Sequence, residues 1–369
     1  MFSEKAKKHA DACRFCFMCR HLCPVGQKTG KENNTPRAKG LLISLVNRGQ
    51  EYTSDMASDM YECCLCEACS NDCATGYEPS VFIREARTMA LVNDLVPPHV
   101  AKVIDDVMET GNLFGQNPKD KMAALAGDIE ELPQKAGIVL HIGETAAYHK
   151  PEMAKAVIRL LKKAGIDFTV IRDEKPSGTE LGDLIGFVDD VHRLAGETAE
   201  QIKAAGAKKL VVLDPSDARM FKHQYAEWDC APTPEIVTAT SFITGLIADG
   251  KLKPKKINMT VTYHDPCRLA RDLDEYAPAR EIIAAMGLTL NEMFLNRRLT
   301  KCCGGEVLHS HAPHLTDLTG EGRWADASRT GAKVLLTACP GCLDILGKDM
   351  PDGMEIKDLF VLLAEACGA

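Results

Sequence analysis

Aromatic side chains are scarce in this chain: 5% of 369 residues, with two tryptophans. A surface that stacks bases along a nucleic acid therefore has little to be built from. An excess of positive charge is missing too. The net charge is −8, whereas a phosphate backbone needs a basic face, so nucleic acid is not an expected partner. No apolar run reaches the length of a membrane span, so no transmembrane segment is expected. The opening residues, MFSEKAKKHA, are polar and lysine-rich with no apolar stretch behind them, unlike a secretory leader. The expected location is cytoplasmic, at most peripheral to a membrane through a partner. Hydrophobic residues at 45% and charged residues at 26% describe a folded globular protein long enough for two or three domains.

What is abundant is cysteine, sixteen in all. Disulfides are disfavoured in a reducing compartment, and clustered cysteines there usually hold metal. Nine lie in the first segment, residues 1–115. Cys13, Cys16, Cys19 and Cys23 follow C-x2-C-x2-C-x3-C with Pro24 after the last, and Cys63, Cys66, Cys69 and Cys73 repeat the spacing, with Ala74 where a second proline would stand. Three cysteines at three-residue steps can wrap one 4Fe–4S cubane, and the fourth ligates the other cluster. The expected sets are therefore Cys13, Cys16, Cys19 with Cys73, and Cys63, Cys66, Cys69 with Cys23. Structural zinc fits poorly, because it usually takes two separated pairs around one ion. Cys64, Cys230 and Cys367 are left as spare thiols. The stretches Arg37 to Val46 and Ser80 to Val92 read as helices, the second with Ser80 as its cap.

Residues 115–134 read as a linker with one short helix. Beyond it, residues 135–252 and 253–369 repeat one order of parts. In the first unit a strand-like run, Gly137 to Ile142, precedes a helix, Pro151 to Ala164. A second strand, Asp167 to Ile171, a polar loop and a long helix lead to a strand at Leu210 to Leu213. In the second unit a strand, Met259 to Tyr263, precedes a helix, Pro278 to Met286. A KCCGG loop and a long helix then lead to a strand at Val334 to Thr337. Ala205 to Thr330 and Asp214 to Cys339 are both separated by 125 residues. Alternating strands and helices predict two α/β units with parallel sheets.

The last unit carries Cys267, then Cys302-Cys303 after thirty-four residues, then Cys339 and Cys342 after thirty-five more. All three positions are expected just after strands, where ligands gather in an open α/β sheet. A helix starting near Cys342 would favour thiolate.

The motifs HDPCR (264–268), KCCGG (301–305) and ACPGC (338–342) resemble the cysteine-rich CCG domain of heterodisulfide reductase-type subunits. The order of parts is similar to theirs across nearly the whole chain. The resemblance implies an α+β multidomain protein, with an N-terminal α-helical ferredoxin-like domain followed by two pseudo-repeated α/β CCG domains. It also implies a non-cubane 4Fe–4S cluster held by Cys267, Cys302, Cys303, Cys339 and Cys342. The middle unit departs from the pattern. Glu144, Pro176 with Ser177, and Asp214 with Asp217 stand where the five cysteines would, so this copy is expected to keep the fold without a cluster. Its carboxylates are also candidates for a hard cation or a substrate.

Two cubanes and a third cluster imply an iron–sulfur electron-transfer subunit of a heterodisulfide reductase-like oxidoreductase complex. Its expected partners are a flavoprotein or another redox subunit, ferredoxin or quinone. The alternative is a catalytic disulfide or thiol reductase acting at the non-cubane cluster. For that alternative His264, His309, His311 and His314 are candidate acids, and Arg268 and Arg271 candidate anion holders. No catalytic residue is assigned.

Overall fold

The computed structural model describes residues 2–230 and 234–369. The first hundred and ten residues are helical. The longest helices are Pro36–Asn47, Pro79–Val92 and Pro98–Thr110. Thr35 caps the first of these through its hydroxyl. Ser80 does not cap the second: Glu78 occupies that position without a side-chain bond, Pro79 takes the first turn and Ser80 is buried inside the helix. The missing proline N–H suits that first turn, and this displaces the expected serine cap by two residues.

Two four-stranded sheets follow. The strands are β1 Ile138–His141, β2 Thr169–Val170, β3 Lys209–Val212, β4 Glu235–Thr238, β5 Thr260–Tyr263, β6 Thr289–Leu290, β7 Val334–Thr337 and β8 Glu355–Asp358. The orders are β2-β1-β3-β4 and β6-β5-β7-β8, so the two sheets are wired alike. Every pairing is parallel. Of these strands, β4, β6 and β8 are ones that sequence patterning did not suggest. The expected linker holds two 3-10 turns and one short helix, Ala126–Ile129.

Strand alternation distributes the cores. Leu140 and Val211 of one sheet, with Val261 and Leu336 of the other, point into one shared core. Helices Pro151–Lys163 and Leu359–Cys367 fill it. Val139, Leu210 and Val212 point the opposite way and pack with Phe82, Ile83 and Tyr61 of the helical segment. Leu335 joins Cys303, Cys339, Cys342 and Trp324 in a smaller cluster. The middle unit therefore packs against both other parts, which also meet each other directly. No helix among the described residues is long and apolar enough to cross a membrane.

Candidate metal centre

The two cysteine runs coil identically. Phe15 and Leu65, each just before the second cysteine, have φ of 57° and 48°; Phe17 and Glu67, just after it, have φ of 66° and 60°. Non-glycine residues seldom take this left-handed conformation, and where it persists the surroundings enforce it. The amide of Phe15 donates to Cys13 Sγ at 3.5 Å and that of Leu65 to Cys63 Sγ at 3.4 Å. Matching N–H donors aimed at sulfur suit two thiolate-bound inorganic centres.

The fourth cysteines cross over. One cavity is lined by Cys13, Cys16, Cys19 and Cys73, and another by Cys63, Cys66, Cys69 and Cys23; Cys69 touches both. Burial pushes the Cys19 thiol up to about 11 and the Cys23 thiol up to about 12. Thiolates so placed need a cation beside them.

Five of the last unit's six cysteines, Cys267, Cys302, Cys303, Cys339 and Cys342, line a third cavity. Cys267 and Cys302 Sγ are 3.8 Å apart, and Cys303 and Cys342 Sγ 3.6 Å. Cys339 follows β7 and caps helix Pro340–Leu346, its Sγ accepting from the Cys342 amide at 3.5 Å. The expectation that every cysteine position directly follows a strand fails for Cys302-Cys303. β6 ends at Leu290, and a loop with a 3-10 turn, Arg297–Leu299, carries the pair to the sheet edge. Gly304, at φ 119°, is required there: a Cβ would come within 2.6 Å of Thr319 Oγ1.

Arg323 is fully buried, and its Nε donates to His264 Nδ1 at 2.9 Å. A guanidinium can only donate, so neutral His264 carries its proton on Nε2. That nitrogen is buried without a partner, and the His264 ring lies within 4.8 Å of the Cys303 and Cys342 sulfurs. Burial and Arg323 hold His264 well below its ordinary value, so it stays neutral, with an unpartnered N–H near the sulfurs, and is poorly suited to act as an acid. The other candidate acids are placed less well. His311 bonds the Tyr61 carbonyl and is lowered by burial to about 4; His309 contacts Lys348; His314 is exposed.

Arg268 and Arg271, candidates for holding a substrate anion, grip the backbone instead. Arg268 donates to the Leu65 carbonyl at 3.0 Å, and Arg271 to those of Cys66 and Thr300 at 2.6 Å each. Arg87 reaches the Cys63 carbonyl at 2.8 Å. Arg268 and Arg271 thus fasten the second cysteine run to the last unit, while Arg87, which also donates to the Asp183 carbonyl, ties it to the middle unit. Asp183 closes the clamp. It accepts from Arg84 at 2.9 Å and Arg268 at 2.7 Å, and these guanidinium groups hold its carboxyl far below the usual range against the opposing effect of burial. Sequence reasoning missed Arg84, Arg87 and Asp183, because no local pattern marks them.

Cys64, set aside as spare, lies with Cys66 and Cys302; the three sulfurs are within 4.8 Å of one another. This is where the second run meets the last unit. Cys230 and Cys367 have no cysteine near them of that kind among the described residues.

In the middle unit the residues replacing the cysteines are brought together but are already partnered. Lys121 Nζ binds Glu144 at 2.5 Å and Glu174 at 3.0 Å. His141 lies 3.1 Å from Glu174 and 3.2 Å from Asp217. Ser177 donates to Asp217 at 2.5 Å. Burial, reinforced by the Asp217 charge, raises Asp214 to about 7. Glu144, Asp214 and Asp217, with Glu180 and Glu306, form an acidic wall in the cavity of the five cysteines.

Comparison with known proteins agrees with this arrangement. Residues 261–347 match the CCG cysteine-rich domain. Over 97% of its length the chain is 31% identical to one component of the dihydromethanophenazine:CoB–CoM heterodisulfide reductase of Methanosarcina barkeri, covering 94% of that component. A probable membrane-anchored ferredoxin of Chromohalobacter salexigens is 28% identical over 96% of the chain and 59% of its own length. Among solved structures, a hypothetical protein from Helicobacter pylori shares the fold, with a TM-score of 0.62 at 11% identity over the whole chain and 73% of the other. The chain belongs to the family of heterodisulfide reductase-type iron–sulfur subunits.

Proposed function

We propose that this chain is an iron–sulfur electron-transfer subunit of a heterodisulfide reductase-like oxidoreductase complex. Electrons pass through two 4Fe–4S cubanes to or from a non-cubane 4Fe–4S cluster in the last unit. Cys13, Cys16, Cys19 and Cys73 would hold one cubane, and Cys63, Cys66, Cys69 and Cys23 the other. Cys267, Cys302, Cys303, Cys339 and Cys342 would hold the third centre. Bound, these groups supply one-electron exchange; the arginine clamps fix their separation, and His264 donates its N–H toward ligand sulfur. We read residues 1–115 as a ferredoxin-like domain. Residues 135–252 and 253–369 would be copies of one CCG-type fold, the first without a cluster. The partner would be a flavoprotein or another redox subunit, and the location cytoplasmic, reaching a membrane only through that partner.

The observation that carries this reading is a polarity. In the first run Cys16 is exposed, whereas in the second Cys66 is buried against Cys302 and Cys64. A chain of centres with one end at the surface and the other meeting a third centre inside suits a relay.

Iron and sulfide analysis of anaerobically purified protein should give about twelve irons per chain. A count near eight removes the third cluster. Cys303→Ser should abolish only the third centre's spectroscopic signal, and loss of the cubane signals as well would show the ligand grouping to be wrong.

The catalytic alternative draws on the same cavity, which reaches the five cysteines. Steady disulfide turnover by the isolated chain with a strong reductant would favour the catalytic reading over the relay.

A further inference from the structure

The two cysteine runs share a backbone and differ in everything around it. In the second run Leu65 and Cys66 are buried. In the first, Phe15, Phe17 and Met18 are 51%, 45% and 55% exposed, on either side of the exposed Cys16. Single exposed apolar residues are ordinary, but a contiguous group of large ones marks a contact surface.

Charge is also segregated along the chain. The first forty residues carry nine Lys and Arg against three Asp and Glu, while the remainder carries 35 against 49. Arg37 stacks on Phe17, with its guanidinium carbon 4.5 Å from the ring centroid. Its partner is Glu32 at 3.0 Å, which Arg20 meets only at 3.9 Å. Arg14 is exposed and, among the described residues, bonds only the backbone carbonyls of Asp11 and Cys13. Its charge, and most of that of Arg20, is therefore open to an incoming molecule.

We propose that this basic, aromatic rim around Cys16 is the docking face for a small acidic one-electron carrier protein. The inference rests on the relay reading, since it gives the exposed end of the relay its partner. The reduced carrier loses one electron and is oxidised, the outermost centre of the chain gains that electron, and no bond or proton moves. The rest of the chain is net negative and repels an acidic carrier, so the rim is also where the field orients it. Transient redox encounters use small interfaces, and a rim of a few side chains matches that class. An anionic membrane surface would also accept arginines beside phenylalanines. It would, however, seal Cys16 in the centre of the contact away from any water-borne carrier.

The test uses the full chain with its clusters, purified anaerobically, and a reduced plant-type ferredoxin as the acidic probe. In stopped flow the wild-type rate should fall steeply as salt rises from about 50 to about 500 mM. The double variant R14E/R20E should be slower by about tenfold at low salt and lose that salt dependence, yet still be fully reduced by dithionite at equilibrium. A salt-independent wild-type rate overturns the proposal, and so does a wild-type rate in a variant that keeps its iron. If the variant loses iron, the wild-type salt dependence alone decides. Sedimentation with phosphatidylserine–phosphatidylcholine vesicles that is lost in R14E/R20E, with an unchanged ferredoxin rate, assigns the rim to a membrane and overturns the proposal. Failure of dithionite to reduce any centre in the wild type sinks the relay reading instead.

Discussion

Replacing Asp183 by asparagine should loosen the whole molecule, because this one carboxylate ties its three parts together. Arg84 comes from the helical segment, Asp183 from the middle unit and Arg268 from the last, and all three side chains are nearly inaccessible to water. The substitution preserves shape and removes the charge. Two buried guanidinium groups then face a neutral amide, and Arg219 nearby loses a compensating charge as well. Breaking a buried pair from one side costs about 3–5 kcal/mol, because the stranded charge cannot regain its hydration. That is a large share of the roughly 5–15 kcal/mol by which folded proteins are stable. The assay is anaerobic urea unfolding of the cluster-loaded chain, followed both by far-ultraviolet circular dichroism and by visible absorbance. Asp183→Asn should lower both midpoints, whereas Arg193→Ala, which breaks a pair on the open surface, should move neither measurably. The pH dependence has a definite sign. A carboxyl with a depressed folded value contributes stability that is present above its unfolded value, near 3.9, and lost as pH falls through the folded one. The gap between wild type and variant should therefore hold constant from about pH 8 to about pH 5 and shrink only in stronger acid. A cost below about 1 kcal/mol would refute the claim that this network holds the parts in register.

Cys64→Ala should leave the iron content unchanged, because Cys64 is a neighbour of Cys66 and Cys302 and not a ligand. Losing a thiol that can hydrogen-bond to both sulfurs should lower the midpoint potentials of the second and third centres in an EPR redox titration; a loss of four irons would make Cys64 a ligand after all. His264→Ala should lower the third centre's potential alone, and His264→Gln, which keeps an N–H donor, should largely restore it; equal potentials in all three proteins would remove His264 from that role. Lys121→Met strands Glu144 and Glu174 and should destabilise the chain by about 3 kcal/mol, read from the unfolding midpoint. Glu174 and Asp217 raise His141 above its ordinary value despite burial, so its contribution is full below about pH 6.5 and lost as pH rises through the folded value. His141→Gln should accordingly cost more at pH 6 than at pH 9, and the opposite order would show the ring to be neutral.

The grouping of cysteines around common cavities was legible because the spacing is local: three-residue steps decide which sulfurs can face one another whatever the surrounding fold. The crossing of Cys23 and Cys73 between the two cavities follows from the same spacing. The alternation of strands and helices announced parallel α/β units. The strands β4 and β8 escaped because EIVT and EIKD hold two and three polar residues in four, too polar to stand out as strands, and β6 because it is two residues long. The arginine clamps were illegible for a different reason. Arg271 and the Cys66 carbonyl are 205 residues apart, and an arginine bound to a buried carbonyl looks, in sequence, like one on a surface. His141 in GIVLHI was the available signal for the middle-unit network, since a histidine ending an apolar strand needs partners for both ring nitrogens.

Those two strand ends also explain how one unit can dispense with its centre. His141 and His264 are 123 residues apart, as are Glu144 and Cys267; Asp217 and Cys342 are 125 apart, and Ser177 and Cys303 126. In the last unit His264 lies beside Cys303 and Cys342. In the middle unit His141 lies beside Asp217, which in turn accepts from Ser177. The proposed repeat therefore keeps its side-chain geometry while exchanging its chemistry. In the proposed assignment, thiolates that iron would compensate on one side correspond to carboxylates compensated by Lys121 and His141 on the other. Both arrangements supply positive charge to buried anionic donors, which is what a closed strand-end pocket requires. A disulfide that had to be held between two matched centres would meet iron on one wall and a satisfied ion network on the other. On the proposed relay reading, that asymmetry would leave the last unit a terminus for single electrons, with any matching centre for two-sided cleavage left to a partner chain.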